Sequence, residues 1–349
     1  MACLYLFLSL ITLVITARAD KPCSAFSVNG SYASTFSFYR FYDFRNASIS
    51  TPSLSAEYWP TEKSNSPSLI LSKSTNDSSW ADDWTVRLKY KGAAAEGLAA
   101  LHYIPQNVFM ARRDEEAHLT LNTSRLANNT QQSGEVFFNK AKVDAISLRV
   151  SARVYGDSGA VAGFFIYHND TQESDIEVLT RDGDSRVHFS NQPTTNAKDE
   201  AIAGAAFNES LPSRASCQDW TVYRLDWLPD HEVSIWYVNG QALKRTRTNV
   251  PKFSGTIFLD MWSNGGSWSG RMAVGNKATL EVQWIEMAFN ASSAVENVPD
   301  NGATCTIDKA LGNPVEASGT RNGPRLGVWV VLVAAAAWMM VYHAIPLHR

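Results

Sequence analysis

The chain has 349 residues, of which 45% are hydrophobic and 19% are charged, and its formal net charge at pH 7 is -3. This length fits one large domain or two small ones. The slightly acidic balance and the absence of basic runs give no support for nucleic acid as a partner. The spacings of the four cysteines do not resemble a zinc site, so neither a metal nor another cofactor is expected.

The chain begins with a mostly apolar stretch, residues 1–19, which ends in Ala17-Arg18-Ala19. This pattern is typical of a secretory signal peptide and predicts a chain that folds in an oxidising compartment. Cys23, Cys217 and Cys305 then remain. One disulfide and one free thiol is the simplest arrangement, and the sequence does not decide which two cysteines pair.

N-x-Ser/Thr triplets without a central proline recur along the chain. In a secreted chain such triplets are acceptors for N-glycosylation, and they favour exposed loops. The predicted glycosylation sites are Asn29, Asn46, Asn76, Asn122, Asn128, Asn169, Asn208 and Asn290.

The predicted folded domain, residues 20–290, is dominated by strand patterns. Residues 146–154 alternate apolar and polar side chains, which predicts a half-buried strand, and residues 161–167 form a short apolar run typical of a buried strand. Further strands are predicted at residues 186–190, 222–227, 233–238, 256–262 and 279–289, with Asn239-Gly240 as a tight hairpin turn. Residues 93–101 are the main helix candidate. Many strands with Gly and Asn turns indicate an all-β sandwich or jelly roll.

A strand with three acids at alternate positions is the strongest chemical signal. Within residues 171–180, Glu173, Asp175 and Glu177 share one face of a strand, while Ile176 and Val178 occupy the other. Acids packed together repel one another and shift their pKa values. Paired carboxyls with different pKa values are the usual equipment for cleaving glycosidic bonds.

The C-terminal part predicts a stalk and a membrane anchor. Residues 291–325 are poor in large apolar side chains, and residues 326–345 are apolar without Asp, Glu, Lys or Arg. Twenty helical residues span about 30 Å, enough for a bilayer core. The segment is either a GPI-attachment signal, with Ser318 or a neighbour as the attachment site, or a single transmembrane helix. Both alternatives predict a protein on the outer cell surface or in a cell wall.

The order of motifs resembles glycoside hydrolase family 16, which includes laminarinases, lichenases and fungal wall transglycosylases. Glu173-Ser174-Asp175-Ile176-Glu177 fits the E-x-D-x-E motif of that family. Residues 220–227, 235–240, 249–251 and 259–266 match its later landmarks in order. The resemblance implies a concanavalin A-like β-jelly roll of two curved antiparallel sheets, with a sugar cleft on the concave face.

The resemblance also implies roles for the acids. Glu173 corresponds to the nucleophile that attacks the anomeric carbon, Glu177 to the acid/base and Asp175 to a carboxyl that tunes the pair. Four strand residues separate the α-carbons of the two glutamates by about 13 Å. A retaining mechanism needs their carboxyl groups about 5–5.5 Å apart, which two long side chains leaning inward on a concave strand can achieve.

Other residues are expected to contact sugar. Trp262 is predicted to stack on a pyranose ring, with a core position as the alternative, and Asp260 faces the same way two residues earlier. His188 is a further substrate-binding candidate, with simple packing as its alternative. Core positions are predicted for Trp220, Trp227, Trp236 and Trp284.

The sequence therefore predicts a secreted, surface-anchored retaining glycosidase, expected to be a monomer, that acts on β-glucan of a cell wall with β-1,3 or mixed β-1,3/1,4 linkages. A polysaccharide is the expected partner, together with a membrane through the C-terminal anchor. One alternative is a transglycosylase of the same family. The other is a non-catalytic glycan-binding jelly roll, against which the three acids argue, because a lectin needs neither a nucleophile nor an acid.

Overall fold

Strands dominate the computed structural model, which describes residues 22–30, 32, 34–47, 78–113, 116–212, 215–293, 295–296, 301–309 and 311–315. The elements are β1 (Cys23–Val28), β2 (Ser34–Phe36), β3 (Phe38–Asp43), α1 (Ser78–Asp83), β4 (Trp84–Val86), β5 (Lys89–Lys91), β6 (Ala100–Tyr103), β7 (Val108–Arg113), β8 (Glu116–Arg125), β9 (Thr130–Phe138), β10 (Ala145–Gly156), β11 (Val161–Asn169), β12 (Gln172–Leu179), β13 (Arg186–Asn191), β14 (Ala206–Ser210), β15 (Thr221–Leu228), β16 (Val233–Val238), β17 (Gln241–Thr246), β18 (Thr256–Trp262), β19 (Lys277–Asn290) and β20 (Ala303–Thr306). The strands that the sequence predicts after residue 160 are confirmed as β11, β12, β13, β15, β16, β18 and β19.

An antiparallel inner sheet carries the acid strand near its centre. Its strand order is β14, β13, β12, β11, β18, β9 and β4. Along each of its central strands, side chains alternate between a buried apolar face and the opposite face, as a strand requires. The apolar face packs toward the outer sheet and leaves the other face to form a cleft.

The outer sheet runs in the order β17, β16, β15, β10 and β19, all antiparallel. Beyond β10, β19 pairs with β8 along its first half and with β3 along its second half. The turn between β16 and β17 has φ values of 48° at Asn239 and 80° at Gly240. Positive φ at both residues is the requirement of a tight hairpin turn, so the predicted turn is confirmed.

Aromatic side chains lock the inner sheet onto the outer sheet. Phe164 of β11 stacks on Tyr223 of β15 with ring centroids 5.3 Å apart, and Phe189 of β13 stacks on Trp236 of β16 at 5.5 Å. Such pairs contribute about 0.5–1.5 kcal/mol each beyond the burial of their area. The two β-sheets thus form the sandwich that the sequence predicts, and the all-β jelly-roll fold class is confirmed.

The predicted core tryptophans divide into two groups. Trp227, Trp236 and Trp284 are buried, as predicted. Trp220 is only half-buried, because it lies just before β15 begins. The guanidinium of Arg153 lies 4.4 Å from its ring centroid, so Trp220 is a cation–π partner at the edge of the fold and its core assignment is wrong.

A small sheet, β2–β1–β20, covers the far side of the outer sheet. Val28, Phe36 and Ile307 of this covering layer cluster with buried residues of the outer sheet such as Ile235. The Cys23–Cys305 disulfide joins β1 to β20, which selects one of the pairings left open, and Cys217 is a buried thiol. The prediction of a stalk from residue 291 is wrong for β20. Backbone pairing with β1 holds this strand in the domain without a run of large apolar side chains.

The strand predicted as half-buried at 146–154 is more deeply buried in the structure, because the covering layer lies over it. Both faces of β10 are largely buried, and Arg149 is 2% exposed. Its guanidinium pairs with Glu286 at 3.1 Å and with Asp308, in the segment after β20, at 2.5 Å. Arg149, at a polar position of β10, therefore faces the segment around Asp308, and not solvent.

The predicted helix at 93–101 is wrong. The structure has turns there, with Gly97 at φ 83° and a backbone hydrogen bond from Leu98 to Ala95, and β6 begins at Ala100. The run of alanines has helix propensity, but glycines at positions 92 and 97 interrupt it before it can propagate beyond the costly first turn.

Several predicted segments lie outside the described residues. These are the signal peptide at 1–19, the glycosylation site Asn76, and the apolar segment at 326–345 together with Ser318. Within the part of the chain that the structure describes, none of the helices is both long and apolar enough to cross a membrane.

Candidate active site

The acid strand β12 lies between β11 and β13. Glu173, Asp175 and Glu177 line the cleft on the open face of the inner sheet, while Ile176 and Val178 are buried on the other face. The alternation predicted from the sequence is thus confirmed. Glu173 and Glu177 are half-buried, and Asp175 is 6% exposed.

Strand register aligns one row of side chains across the cleft floor through Glu177. Glu177 lies opposite His188 on β13 and opposite Gly163 on β11. Gly163 in turn lies opposite Asp260 on β18, and Asp260 lies opposite Glu135 on β9. Residues directly opposite each other bring their Cβ atoms to about 4.5–5.5 Å. The row therefore has acids on both sides of a gap left by glycine.

A second row passes through Asp175. Its β11 neighbour is Phe165, which stacks on Phe258 of β18 with ring centroids 5.1 Å apart, and Phe137 of β9 follows at 5.7 Å from Phe258. On the other side of Asp175, Ser190 of β13 donates a hydrogen bond of 2.6 Å from Oγ to Oδ2. The acid strand is thus flanked by an aromatic surface on one side and a polar surface on the other.

The cleft extends to both sides of β12. A larger half of about 730 Å³ lies over β13 and β14, and a smaller half of about 320 Å³ lies over β11, β18 and β9. Glu173, Asp175, Glu177 and Trp262 line both halves. A linear molecule laid across the acid strand would be held on both sides of the carboxyls.

Burial dominates the electrostatics of the triplet. It raises the pKa of Glu173 to about 9 and the pKa of Glu177 to about 8, and in both cases the charge of Asp175 is the next largest cause. Burial also raises the pKa of Asp175, to about 7, against hydrogen bonds led by that of Ser190, which lower it. Protonated carboxyls are therefore present at neutral pH, which is what a general acid requires.

Comparison with known proteins assigns the family. The family model "Glycosyl hydrolases family 16" matches residues 101–286, more than half of the chain. The chain belongs to glycosyl hydrolase family 16. The matched segment contains the acid strand, the cleft floor and the outer-sheet hairpin, so the family assignment and the site geometry concern the same part of the chain.

Relatives of this family 16 chain include bacterial enzymes. It is 28% identical over 183 residues to a beta-glucanase of Paenibacillus polymyxa, which covers 50% of this chain and 72% of that protein. It is 30% identical over 149 residues to a beta-glucanase of Paenibacillus macerans, covering 40% and 58%. The endo-beta-1,3-glucanase from Pyrococcus furiosus superposes with a TM-score of 0.50 at 14% identity, covering 77% of this chain and 99% of that one, a similarity of fold.

The predicted substrate-binding residues all line the cleft of this family 16 domain. Trp262 is half-buried and borders both halves, so its ring is accessible from the cleft. His188 lies in the larger half, where its Nε2 is 2.6 Å from Oδ2 of Asp182. Asp260 lies in the smaller half and is 3% exposed. Their roles toward sugar stay predictions.

Sequence reasoning missed Trp268. Its Nε1 donates a hydrogen bond of 2.9 Å to Oε2 of Glu177, and its ring meets His188 edge-on at 4.9 Å. Trp268 is 41% exposed, on the loop after β18, and Arg181 donates a hydrogen bond to the carbonyl of Ser267 beside it. A large aromatic residue in the Gly- and Ser-rich stretch at 263–270 was the available signal, since exposed loop aromatics often serve binding.

Arg87 and Glu135 form an ion pair in the smaller half of the cleft that no pattern in the sequence indicated. The Arg87 guanidinium lies 4.9 Å from the ring centroid of Phe137 and 5.1 Å from that of Phe258. Residues nearly fifty positions apart in the chain meet because β4 pairs with β9. Neither position stands in a motif, so only the sheet order identifies the pair.

The predicted glycosylation sites differ in accessibility. Asn29, Asn46, Asn128, Asn169 and Asn208 are exposed, and Asn208 lines the larger half of the cleft. The other two described sites are half-buried, and their side chains accept hydrogen bonds, Asn122 from Thr279 at 2.9 Å and Asn290 from the Ser37 amide at 2.9 Å.

Proposed function

We propose that this family 16 chain is a retaining endo-glycosidase that cleaves β-glucan, with Glu173 as nucleophile and Glu177 as acid/base. The carrying observation is a cleft that crosses β12, with both glutamates and Asp175 lining each half. The beta-glucanase names of the relatives support β-glucan as the substrate class. A cleft open to both sides supports attack within a polysaccharide chain, and not only at its end.

In the first step, an oxygen of Glu173 bonds to the anomeric carbon while the bond from that carbon to the glycosidic oxygen breaks. Glu177 donates its proton to the departing oxygen. Burial raises the pKa of Glu177 to about 8, so this carboxyl holds a proton to donate at neutral pH. Glu173 shares a hydrogen bond with Asp175. Passage of the shared proton to Asp175 leaves Glu173 as the carboxylate that attacks.

In the second step, Glu177, now a carboxylate, takes a proton from water while the water oxygen bonds to the anomeric carbon and Glu173 is released. Trp268 supports this stage, because its N–H donates to Glu177, which lowers the pKa of that carboxyl. Retention of configuration follows from two successive displacements at the same carbon.

Transglycosylation is the second candidate. It differs only in that a sugar hydroxyl replaces water in the second step. The half of the cleft that the leaving segment vacates is a site for such an acceptor, and the stacked Phe165 and Phe258 offer apolar surface in the smaller half. Product analysis on laminarin and mixed-linkage glucan, with and without added oligosaccharide acceptors, distinguishes new long products from hydrolysis products.

The experiment that tests the leading proposal combines two variants with a trapped intermediate. Glu173→Gln and Glu177→Gln should each lose at least about 10³-fold in kcat on β-glucan, a scale typical of a lost acid/base group, whereas exposed Glu232→Gln should retain wild-type turnover. A slow 2-fluoro glycoside should leave a covalent sugar on Glu173. Mass spectrometry that places the adduct on another residue, or full turnover in both variants, would reject the assignment.

We also propose that the protein is secreted and held at the outer cell surface or in a wall, by either a GPI anchor or a transmembrane helix. The Cys23–Cys305 disulfide supports an oxidising compartment. The exposed sequons are compatible with glycosylation there. Digestion of intact cells with a phosphatidylinositol-specific phospholipase should release the enzyme if the anchor is GPI, and should leave it on the membrane if the anchor is a helix. Activity found only inside the cells would reject surface localisation.

A further inference from the structure

Asp260 carries a buried polar atom that has no partner. The side chain is 3% exposed and lines the smaller half of the cleft. Its Oδ1 accepts or donates no hydrogen bond within the described part of the chain. A buried polar oxygen left unpaired costs about 1–3 kcal/mol. The fold has a reason to accept that cost if the partner arrives with the substrate.

The neighbours of Asp260 disfavour a negative charge on it. Glu135 lies directly opposite on β9, and like charges at such positions are destabilising. Glu135 has its own counterion, because Arg87 pairs with it. Among the described residues no cation lies within ion-pair distance of Asp260. Of the two facing acids, Glu135 has a cation paired with its charge, and Asp260 does not.

The wider electrostatic surroundings act in the same direction. Burial, and then the charges of Glu135, Glu177 and Glu173, raise the pKa of Asp260 well above its usual range, and only Lys91 acts against them. Tyr103, on β6, lies near Asp260. Burial, and then the charge of Asp260, raise the pKa of Tyr103. Burial raises the pKa of Glu135, and the charges of Arg87, Lys91 and Lys89 act against that rise.

Gly163 keeps the space between Asp260 and Glu177 open. A Cβ at this position would lie 2.6 Å from Oδ1 of Asp260. Any other residue would therefore cover the unpaired oxygen from the side that faces the acid strand. With glycine, the carboxyl of Asp260 borders the smaller half of the cleft, where a sugar placed for attack at Glu173 can approach it. A neutral carboxylic acid also offers one O–H donor and one carbonyl acceptor, the same pair of functions that an Asn amide offers.

On the basis of the proposed glycosidase function, we propose that Asp260 binds substrate as a neutral carboxylic acid, donating a hydrogen bond from its O–H to an oxygen of the sugar beside Glu177. Glu135, fixed by Arg87, is the positioning residue that keeps the proton on Asp260. Ionisation of Asp260 removes the donor and places a new negative charge beside Glu177. Sugar binding therefore weakens as alkaline pH removes this proton.

Binding in an inactive background tests the role toward sugar. Oligosaccharide affinity is measured by calorimetry across pH for three proteins that all carry Glu173→Gln. The first keeps Asp260, the second also carries Asp260→Asn, and the third also carries Asp260→Leu. Asp260→Asn, which keeps donor and acceptor, should bind at least about tenfold more tightly than Asp260→Leu, which loses both, equal to one hydrogen bond. The alkaline loss of affinity should be larger with Asp260 than with Asp260→Asn, in which Asp175 and Glu177 still titrate.

A second measurement follows the proton without requiring sugar or activity. Infrared difference spectra of the Glu173→Gln protein at neutral pH should contain a protonated-carboxyl C=O band that Asp260→Asn removes. Replacement of exposed Asp230 by Asn should leave that band intact. In Glu135→Gln, the pH at which the band disappears should fall, because a negative charge opposite Asp260 is gone.

The possible outcomes distinguish the proposed glycosidase function from the neutral-acid role of Asp260. A wild-type protein that neither binds nor cleaves β-glucan would reject the proposed function. Activity in the wild type, combined with equal affinity losses in Asp260→Asn and Asp260→Leu, would reject the neutral-acid role and leave the glycosidase function standing. Absence of the Asp260 carboxyl band at neutral pH would also reject that role, even if the leucine variant were too unstable to measure.

Discussion

The indole Nε1 of Trp268 lies 2.9 Å from Oε2 of Glu177 and donates a hydrogen bond to it. The contact joins Glu177, the proposed acid/base, to a loop outside the sheet, since Trp268 follows β18 and Glu177 belongs to β12. A hydrogen bond to the charged form of a carboxyl favours ionisation. Trp268 therefore acts on the proton of Glu177 as well as on the shape of the larger half of the cleft.

Replacement of Trp268 by Phe should move the alkaline limb of the kcat/KM profile upward by up to about one pH unit, because a lost hydrogen bond of about 1 kcal/mol no longer stabilises the Glu177 carboxylate. We expect kcat to fall as well, since the second step needs that carboxylate. The matched control is Trp220→Phe, just before β15 of the outer sheet, which should leave the profile unchanged. An unchanged alkaline limb of the kcat/KM profile in Trp268→Phe would contradict the effect of Trp268 on the pKa of Glu177.

Gly163→Ala should damage the cleft floor. The added Cβ would approach Oδ1 of Asp260 to 2.6 Å, so Asp260 or its strand must shift. Overpacking of this kind costs about 1–3 kcal/mol of unfolding free energy. We expect KM on β-glucan to rise at least severalfold. Gly92→Ala is the control, because a Cβ there meets nothing within 4 Å. Denaturant unfolding and steady-state kinetics on both variants measure the difference.

The buried acids should make folding stability fall with rising pH. Burial raises the pKa of Glu177 in the folded protein to about 8 from an ordinary value of 4.5. The folded state then binds a proton that the unfolded state has lost, so stability decreases between those two values. The Tm of Glu177→Gln should equal that of wild type near about pH 4 and exceed it near about pH 9. Glu232→Gln should show no such trend, and a pH-independent Tm difference for Glu177→Gln would contradict the shift.

Loss of the Cys23–Cys305 disulfide should cost about 2–5 kcal/mol of unfolding free energy, a range typical of native disulfides. The bond closes a loop of 282 residues in sequence separation. The Cys23→Ser/Cys305→Ser double variant and reduced wild type should unfold at the same denaturant midpoint, below that of the oxidised protein. Activity per folded molecule should persist, because the bond lies on the far side of the outer sheet from the cleft. A double variant as stable as oxidised wild type would contradict a stabilising role for the Cys23–Cys305 disulfide.

Period-2 alternation made the acid strand predictable. Glu173, Asp175 and Glu177 had to share a face once the segment was a strand, and Asn239-Gly240 had to turn because both residues accept positive φ. The family motifs supplied the fold that local patterns do not contain. The spacing of Trp262 and Asp260 in one strand predicted that they share a face, and the family resemblance predicted that this face contacts sugar.

What the sequence did not reveal depends on contacts between distant segments. The polar side chains of β10 pointed to solvent by pattern, yet the segment around Asp308 covers Arg149. Arg87 meets Glu135 only because β4 is the neighbour of β9. Trp268 reaches Glu177 through a loop whose path no periodicity encodes. In each case the deciding information is which elements become neighbours, and not the local preference of the residues.

The pairing of β1 with β20 determines where attachments to this domain can be made. Both strands lie on the outer sheet, on the side away from the inner sheet. Packed sheets are about 10 Å apart, so the cleft and the two ends of the described domain, Pro22 and Val315, are separated by the thickness of the sandwich. Any tether, fusion partner or solid support joined before Pro22 or after Val315 therefore starts on the back of the molecule, and leaves the cleft facing outward toward an approaching polymer.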